Sequence, residues 1–204
     1  MIKRISFAAS AAAGLALLAP AAYGASCDKA CLEHTADLYR AAYVKHDPKL
    51  APFAKKVRFT ENNVEMEFPD GTWDTVTQEV GPALTLSDPV TSNAGIYTAI
   101  IQNDTPGFLA VRLKVVRGKI TEVEHIISTR RNLSGPPTPI GDVNDFKHDP
   151  DLAQAVPAAE RMTRAQLIPY ANGYFSTLQH NDGEKRVPRI SPSLCWSVEK
   201  YPSA

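Results

Sequence analysis

Two side chains carry the chemical interest of this sequence, Glu61 and His125. In the run Val57–Glu61 the residues alternate, so Val57, Phe59 and Glu61 share one face of a strand and the carboxylate closes an apolar row. A carboxyl group desolvated among such neighbours has its pKa raised, which suits proton abstraction next to a carbonyl. His125 stands between Val123 and Ile127, and the same alternation turns it inward. There it would act as a second acid/base group or orient a substrate oxygen. Plain structural roles compete with both assignments: a solvated or turn-holding strand end for Glu61, a hydrogen-bonded core residue for His125. Tyr43, Trp73 and Tyr97 are the aromatic candidates for lining a ligand pocket, with ordinary core packing as the alternative. Asp88 precedes Pro89 and reads as turn chemistry, and His46 and Asp47 are neighbours whose side chains point apart.

Other chemistries find no footing. The histidines at 34, 46, 125, 148 and 180 show no metal-ligand spacing with cysteine or carboxylate. The sequence has neither a phosphate-cradling glycine loop nor a nucleophile elbow, so neither a cofactor nor a metal is expected. Lys+Arg and Asp+Glu number 22 each, without a basic cluster, which argues against nucleic acid as a partner.

The elements that must position these residues begin with a helix over 28–46. Leu32, Thr35, Leu38, Tyr39, Ala42 and Tyr43 form its apolar stripe, and Pro48 stops it. Val57–Glu61 and Val64–Phe68 read as a short hairpin around Asn62-Asn63. Pro69-Asp70-Gly71 reads as a turn, with Thr72–Asp74 extended after it. Leu84–Leu86 is a short strand and Ile96–Gln102 a long one. Phe108–Val116 and Ile120–Arg130 make a long hairpin about Arg117-Gly118-Lys119, its greasy face carrying Leu109, Val111, Leu113 and Val115. The sum is an α+β fold, a curved antiparallel sheet wrapped around N-terminal helices, with a C-terminal helical extension. In that extension Thr163–Gln166 has the spacing of a capping box, and Leu167, Tyr170, Tyr174 and Leu178 trace a helix that Pro169 should kink or delay.

The chain opens with Lys3 and Arg4, an apolar run over Ile5–Ala22 and small residues at Ala22 and Gly24, the pattern of a cleaved signal peptide over 1–24. A secreted or periplasmic product is expected, and Pro20 argues against a retained membrane span. Cys27, Cys31 and Cys195 then suggest one disulfide and one leftover thiol. Cys27 and Cys31 lie four apart, an awkward spacing for a bridge within a helix, so a bridge from one of them to Cys195 is preferred. Domain organisation follows as signal peptide 1–24, a domain over 25–131, a Pro-rich linker over 132–157, and a helix and tail over 158–204.

Tyr39–Asp47, Leu50, Phe53 and Val57–Asn62, followed later by Arg112–Val115, Gly118–Ile120 and Glu122–Glu124, resemble the opening and closing elements of the nuclear-transport-factor-2-like superfamily, of the polyketide-cyclase (SnoaL-like) kind. The likeness covers roughly 28–131 and is closest to exported proteins that carry such units in tandem. The helix at 163–178 and His180-Asn181-Asp182 would then open an incomplete second unit. The resemblance implies a cone-shaped, enclosed apolar pocket for a small apolar molecule. It also implies dimerisation through the sheet's outer face, giving a homodimer. It is specific for fold and poor for function. A small-molecule-binding module is expected, or alternatively a cofactor-independent lyase, isomerase or cyclase using Glu61, and His125 with it, on a small carbonyl compound.

Overall fold

The first helix is set by its ends. Asp28 accepts a hydrogen bond from the Cys31 amide (2.9 Å) and so starts α1, Lys29–Val44. His46 takes a left-handed conformation (φ 53°), and Asp47 caps a short 3-10 turn over Pro48–Leu50. The computed structural model describes residues 27–129 and 143–180. Residues 1–24, read above as a signal peptide, and Cys195 lie outside the described residues. Within them, Cys27 and Cys31 form a disulfide with Cα atoms 5.2 Å apart, which corrects the preference for Cys195. The spacing argument fails because Cys27 precedes the cap and is not part of the helix, so the two residues are not held at helical separation.

Six strands follow: β1 Phe53–Glu61, β2 Val64–Met66, β3 Val76–Asp88, β4 Asn93–Gln102, β5 Thr105–Val116 and β6 Lys119–Thr129. Three of the connections are two-residue turns, Asn62-Asn63, Asn103-Asp104 and Arg117-Gly118, each with both φ values positive. That geometry matches the right-handed twist of the strands it joins, and Asn, Asp and Gly tolerate it best. The spatial order is β2-β1-β6-β5-β4-β3. The sheet is curved and mixed rather than wholly antiparallel, because β1 runs parallel to β6. The reason is the path. After β2 the chain crosses to the far edge, and the meander from β3 back to the centre delivers β6 in the direction of β1.

β3 is much longer than Leu84–Leu86, since Gly81 (φ 72°) and Pro82 interrupt its pairing without ending it. It is an edge strand, where a proline costs no inner ladder bond. Gly71–Trp73 forms a 3-10 turn capped by Asp70 rather than an extended stretch. α1 lies on the sheet's inner face, burying Leu32, Ala36, Tyr39, Ala42 and Tyr43 against Ile96, Leu109, Val111, Leu113, Val115 and Val123. Arg40 reinforces the contact with paired hydrogen bonds to Glu79 of β3 (2.8 and 2.7 Å). On the outer face, Phe146 stacks edge-on against Phe108, ring centres 5.2 Å apart.

The chain divides into two compact units, 1–148 and 149–204. The second contains 3-10 turns at Pro150–Ala153 and Ala158–Glu160, then α2, Arg164–His180. Thr163 and Gln166 close a reciprocal capping box ahead of α2, and Pro169 sits inside the helix without delaying its start. No helix among the described residues is long and apolar enough to cross a membrane.

Candidate functional site

Register brings the two chemical residues together. In the parallel pairing of β1 with β6, Glu61 lies opposite His125, one step beyond Phe59 opposite Val123. β1 ends there while β6 runs on, and Asn62 extends the ladder, its amide donating to the His125 carbonyl (2.9 Å) while its side-chain oxygen accepts from the Ile127 amide (2.8 Å). The turn after β2 supplies the third member. The Thr72 amide and hydroxyl both donate to Glu61 Oε2, at 3.1 and 2.6 Å. His125 Nδ1 lies 3.2 Å from the Thr72 hydroxyl and 3.4 Å from the same carboxylate oxygen.

Behind His125 the chain of hydrogen bonds continues into the core. Tyr39 Oη lies 2.6 Å from His125 Nε2, and the Trp73 indole N–H donates to Tyr39 Oη (3.1 Å). These contacts assign the imidazole tautomer. Since Tyr39 accepts from Trp73, its own proton goes to His125 Nε2, and Nδ1–H is left to face Thr72 and Glu61. Every donor in the relay then has an acceptor, which a buried polar network requires.

Electrostatics follow from depth. His125 is fully buried, and burial lowers its pKa more than the neighbouring Glu61 raises it, so the ring is held neutral. Burial pushes Glu61 upward, but the hydrogen bonds from His125 and Thr72 outweigh it and the carboxyl falls below its ordinary value. A raised Glu61 pKa is therefore corrected: the strand face alone does not reveal the donors that the Thr72 turn brings. Burial raises the Tyr39 and Tyr43 phenols and keeps both protonated.

The structure gathers Glu61, His125, Tyr43 and Trp73 but not Tyr97. Tyr43 and Trp73 are buried, their ring centres 5.4 Å apart, and Tyr43 lies 5.3 Å from the His125 ring. Tyr97 is 47% exposed on the outer face, opposite Ala110 and Leu84. Both parities of β4 carry apolar residues, Ile96 and Ile100 on one and Tyr97 and Ala99 on the other, so alternation does not choose the inward set.

The expected dry hollow is occupied by side chains. Tyr39, Trp73, Phe53, Phe59 and Phe68 meet around His125, edge to face except for the tilted Phe53–Phe68 pair, with centres 4.6 to 6.1 Å apart. The opening lies instead at the end of this aromatic plug. A polar cleft of about 450 Å³ is bounded by Glu61, Asn62, Thr72 and Gln102 and, from β6, by Ile127, Ser128 and Thr129. Glu61 and Thr72 both border it, and Glu61 is the more open of the two, with 16% of its side chain exposed. A second concavity of similar size lies on the outer face, between Leu86, Tyr97, Ala110 and Ile126.

Three residues not singled out as site candidates, Thr72, Gly71 and Tyr39, complete the arrangement. Thr72 holds Glu61, and Gly71 makes room for it. A Cβ at Gly71, whose φ is +63°, would stand 2.9 Å from Glu61 Oε1. The signal for Tyr39 was its place four residues before Tyr43 on the apolar stripe. The Pro-Asp-Gly turn before Thr72 gave no sign of what its amides would meet.

Among the described residues no group of three or more His, Cys, Asp or Glu side chains is placed to hold a metal ion. No family model and no curated protein matches the chain. Among solved structures, a de novo designed protein with a curved β-sheet is 15% identical at a TM-score of 0.37, covering 47% of this chain and 86% of its own. A "putative ketosteroid isomerase" from Kribbella flavida DSM 17836 is 20% identical at a TM-score of 0.33, covering 58% of this chain and 92% of its own.

Proposed function

We propose that this chain is an exported, nuclear-transport-factor-2-like module that binds a small molecule in the polar cleft, with the Glu61 carboxylate as the group that recognises it. The observation that carries the reading is the one-sided anchoring of Glu61. Its Oε2 takes the bonds from Thr72 and faces His125 Nδ1, while Oε1 accepts none among the described residues and the side chain opens on the cleft. A carboxylate fixed in this way presents a charge at a set position with little rotamer entropy left to lose on binding. Export rests on the leader pattern of residues 1–24.

Catalysis by Glu61 as a general base on a carbonyl compound is the second reading, favoured by the same open oxygen. Two features rank it lower. A carboxyl with a lowered pKa is a weak base, and the donors that would polarise a carbonyl oxygen, the Thr72 amide and hydroxyl and His125 Nδ1–H, already point at Glu61.

The test is titration of 15N-labelled protein with a chemically mixed fragment set, followed by amide shifts. Binding in the cleft moves Asn62, Thr72, Ile127 and Ser128. Shifts confined to Tyr97, Ala110 and Ile126, or none, contradict the proposal. Glu61→Gln then separates the readings: a substrate that still binds but is no longer turned over makes Glu61 a base.

A further inference from the structure

Resting on that binding reading, the geometry points to a ligand class opposite to the apolar one: a small protonated amine, its ammonium seated against Glu61 Oε1. Charge balance comes first. Glu33, Glu65, Glu79, Glu122 and Glu124 each sit against a lysine or arginine. Glu61 does not. Among the described residues its sole charge-capable partner is His125, which is sealed from solvent by the aromatic plug. No lysine or arginine lines the cleft among the described residues, so none of these compensates its carboxylate.

The surroundings of that charge favour the same class of ligand. Thr72 spends both donors on Oε2, and one of the two N–H groups of the Gln102 carboxamide goes to Thr75 Oγ1 (2.8 Å), with the Gln102 carbonyl as a further acceptor. The Ser128 and Thr129 hydroxyls stand at the same cleft. The lining thus sets neutral hydrogen-bonding groups, carbonyl and hydroxyl oxygens among them, around one negative charge. It complements a group that brings several N–H donors and a positive charge. An anion would meet the Glu61 carboxylate, and a bare divalent cation would need more carboxylate ligands than Glu61 alone. Gly71 keeps the flank of Oε1 open, because any side chain there would fill it.

A matched pair of probes tests this, n-butylammonium against n-butanol, each titrated into the full chain and followed at the Thr72 and Ile127 amides. Butylammonium should bind about tenfold more tightly than the alcohol. Glu61→Gln should abolish the difference, and raised salt should weaken the cation alone on the unaltered protein, a readout that does not depend on the variant folding. Equal affinity for the two probes overturns the amine assignment, as does neutral-fragment binding in the cleft with no response to butylammonium. Arg130 and Arg131 follow β6 in the sequence. If the probe binds only after Arg130→Ala and Arg131→Ala, the cleft belongs to the chain's own guanidinium groups and the inference falls. Silence of the cleft amides to every fragment removes the binding reading as well.

Discussion

Adjacent residues of β6 treat carboxylates in opposite ways. Glu122 and Glu124 face outward and share Arg112, whose guanidinium donates to each at 2.8 Å, all three about two-thirds buried. Between them and Ile127, His125 turns inward to Glu61, where no such cation waits among the described residues. The outer cluster sets one guanidinium between two carboxylates in partial solvent, so its contribution to stability is modest. The inner pair spends neutral donors on its carboxylate and keeps the charge. One is an arrangement for holding strands together; the other retains attraction for something that is not part of the protein.

The contrast breaks most severely at His125. Replacing it with alanine opens a cavity among Tyr39, Tyr43 and Phe59 and strips an acceptor from the buried Tyr39 hydroxyl. A loss of about 3 kcal/mol or more is expected in urea unfolding. Gly71→Ala comes next. The left-handed φ and the 2.9 Å approach to Glu61 together cost about 1–3 kcal/mol, and the displaced Thr72 donors let the Glu61 pKa rise toward its ordinary value. Unchanged stability with an unchanged Glu61 titration would mean that Gly71 does not position the carboxylate.

Acid sharpens the comparison without mutation. Burial holds the folded-state pKa of His125 below its ordinary 6.5, so an unfolded chain takes that proton first and stability falls as pH drops below about 6.5. Glu61, also lowered, adds a second loss as pH drops below its ordinary 4.5 toward its folded value. The groups facing this pair are Tyr39, Tyr43 and Thr72, and burial keeps the two phenols protonated throughout. Unfolding free energies across this range should therefore decline in two stages, and His125→Asn should remove the first. The smallest effect belongs to the outer face. Arg112→Met is expected to cost about 1 kcal/mol or less in the same unfolding assay and to leave the Thr72 amide shift unmoved.

Much of the frame was legible because local rules acted without competition. Asp28 and Pro48 bound α1, Arg117-Gly118 demanded a hairpin, and alternation placed His125 and Leu113 on the buried face. What escaped depends on contacts far apart in sequence. The parallel β1–β6 pairing follows from the path of the whole meander, and it alone sets Glu61 opposite His125. The filling of the hollow depends on five aromatic residues converging from α1, β1 and the segment after β2, none of which announces its partner. Thr72 is an ordinary turn residue until the fold sets its amide 3.1 Å from a carboxylate drawn from another element. Those donors invert the expected direction of the Glu61 pKa, and with it the choice between a base and a recognition group.

The central claim is that Glu61 stands ionised and anchored at the cleft, and the direct measurement is an NMR titration of its side-chain carboxyl carbon in the intact protein. The account predicts a midpoint below the ordinary glutamate value of 4.5, rising in Thr72→Val as the hydroxyl is lost. A midpoint at or above 4.5 in the unaltered chain, indifferent to Thr72, would contradict it.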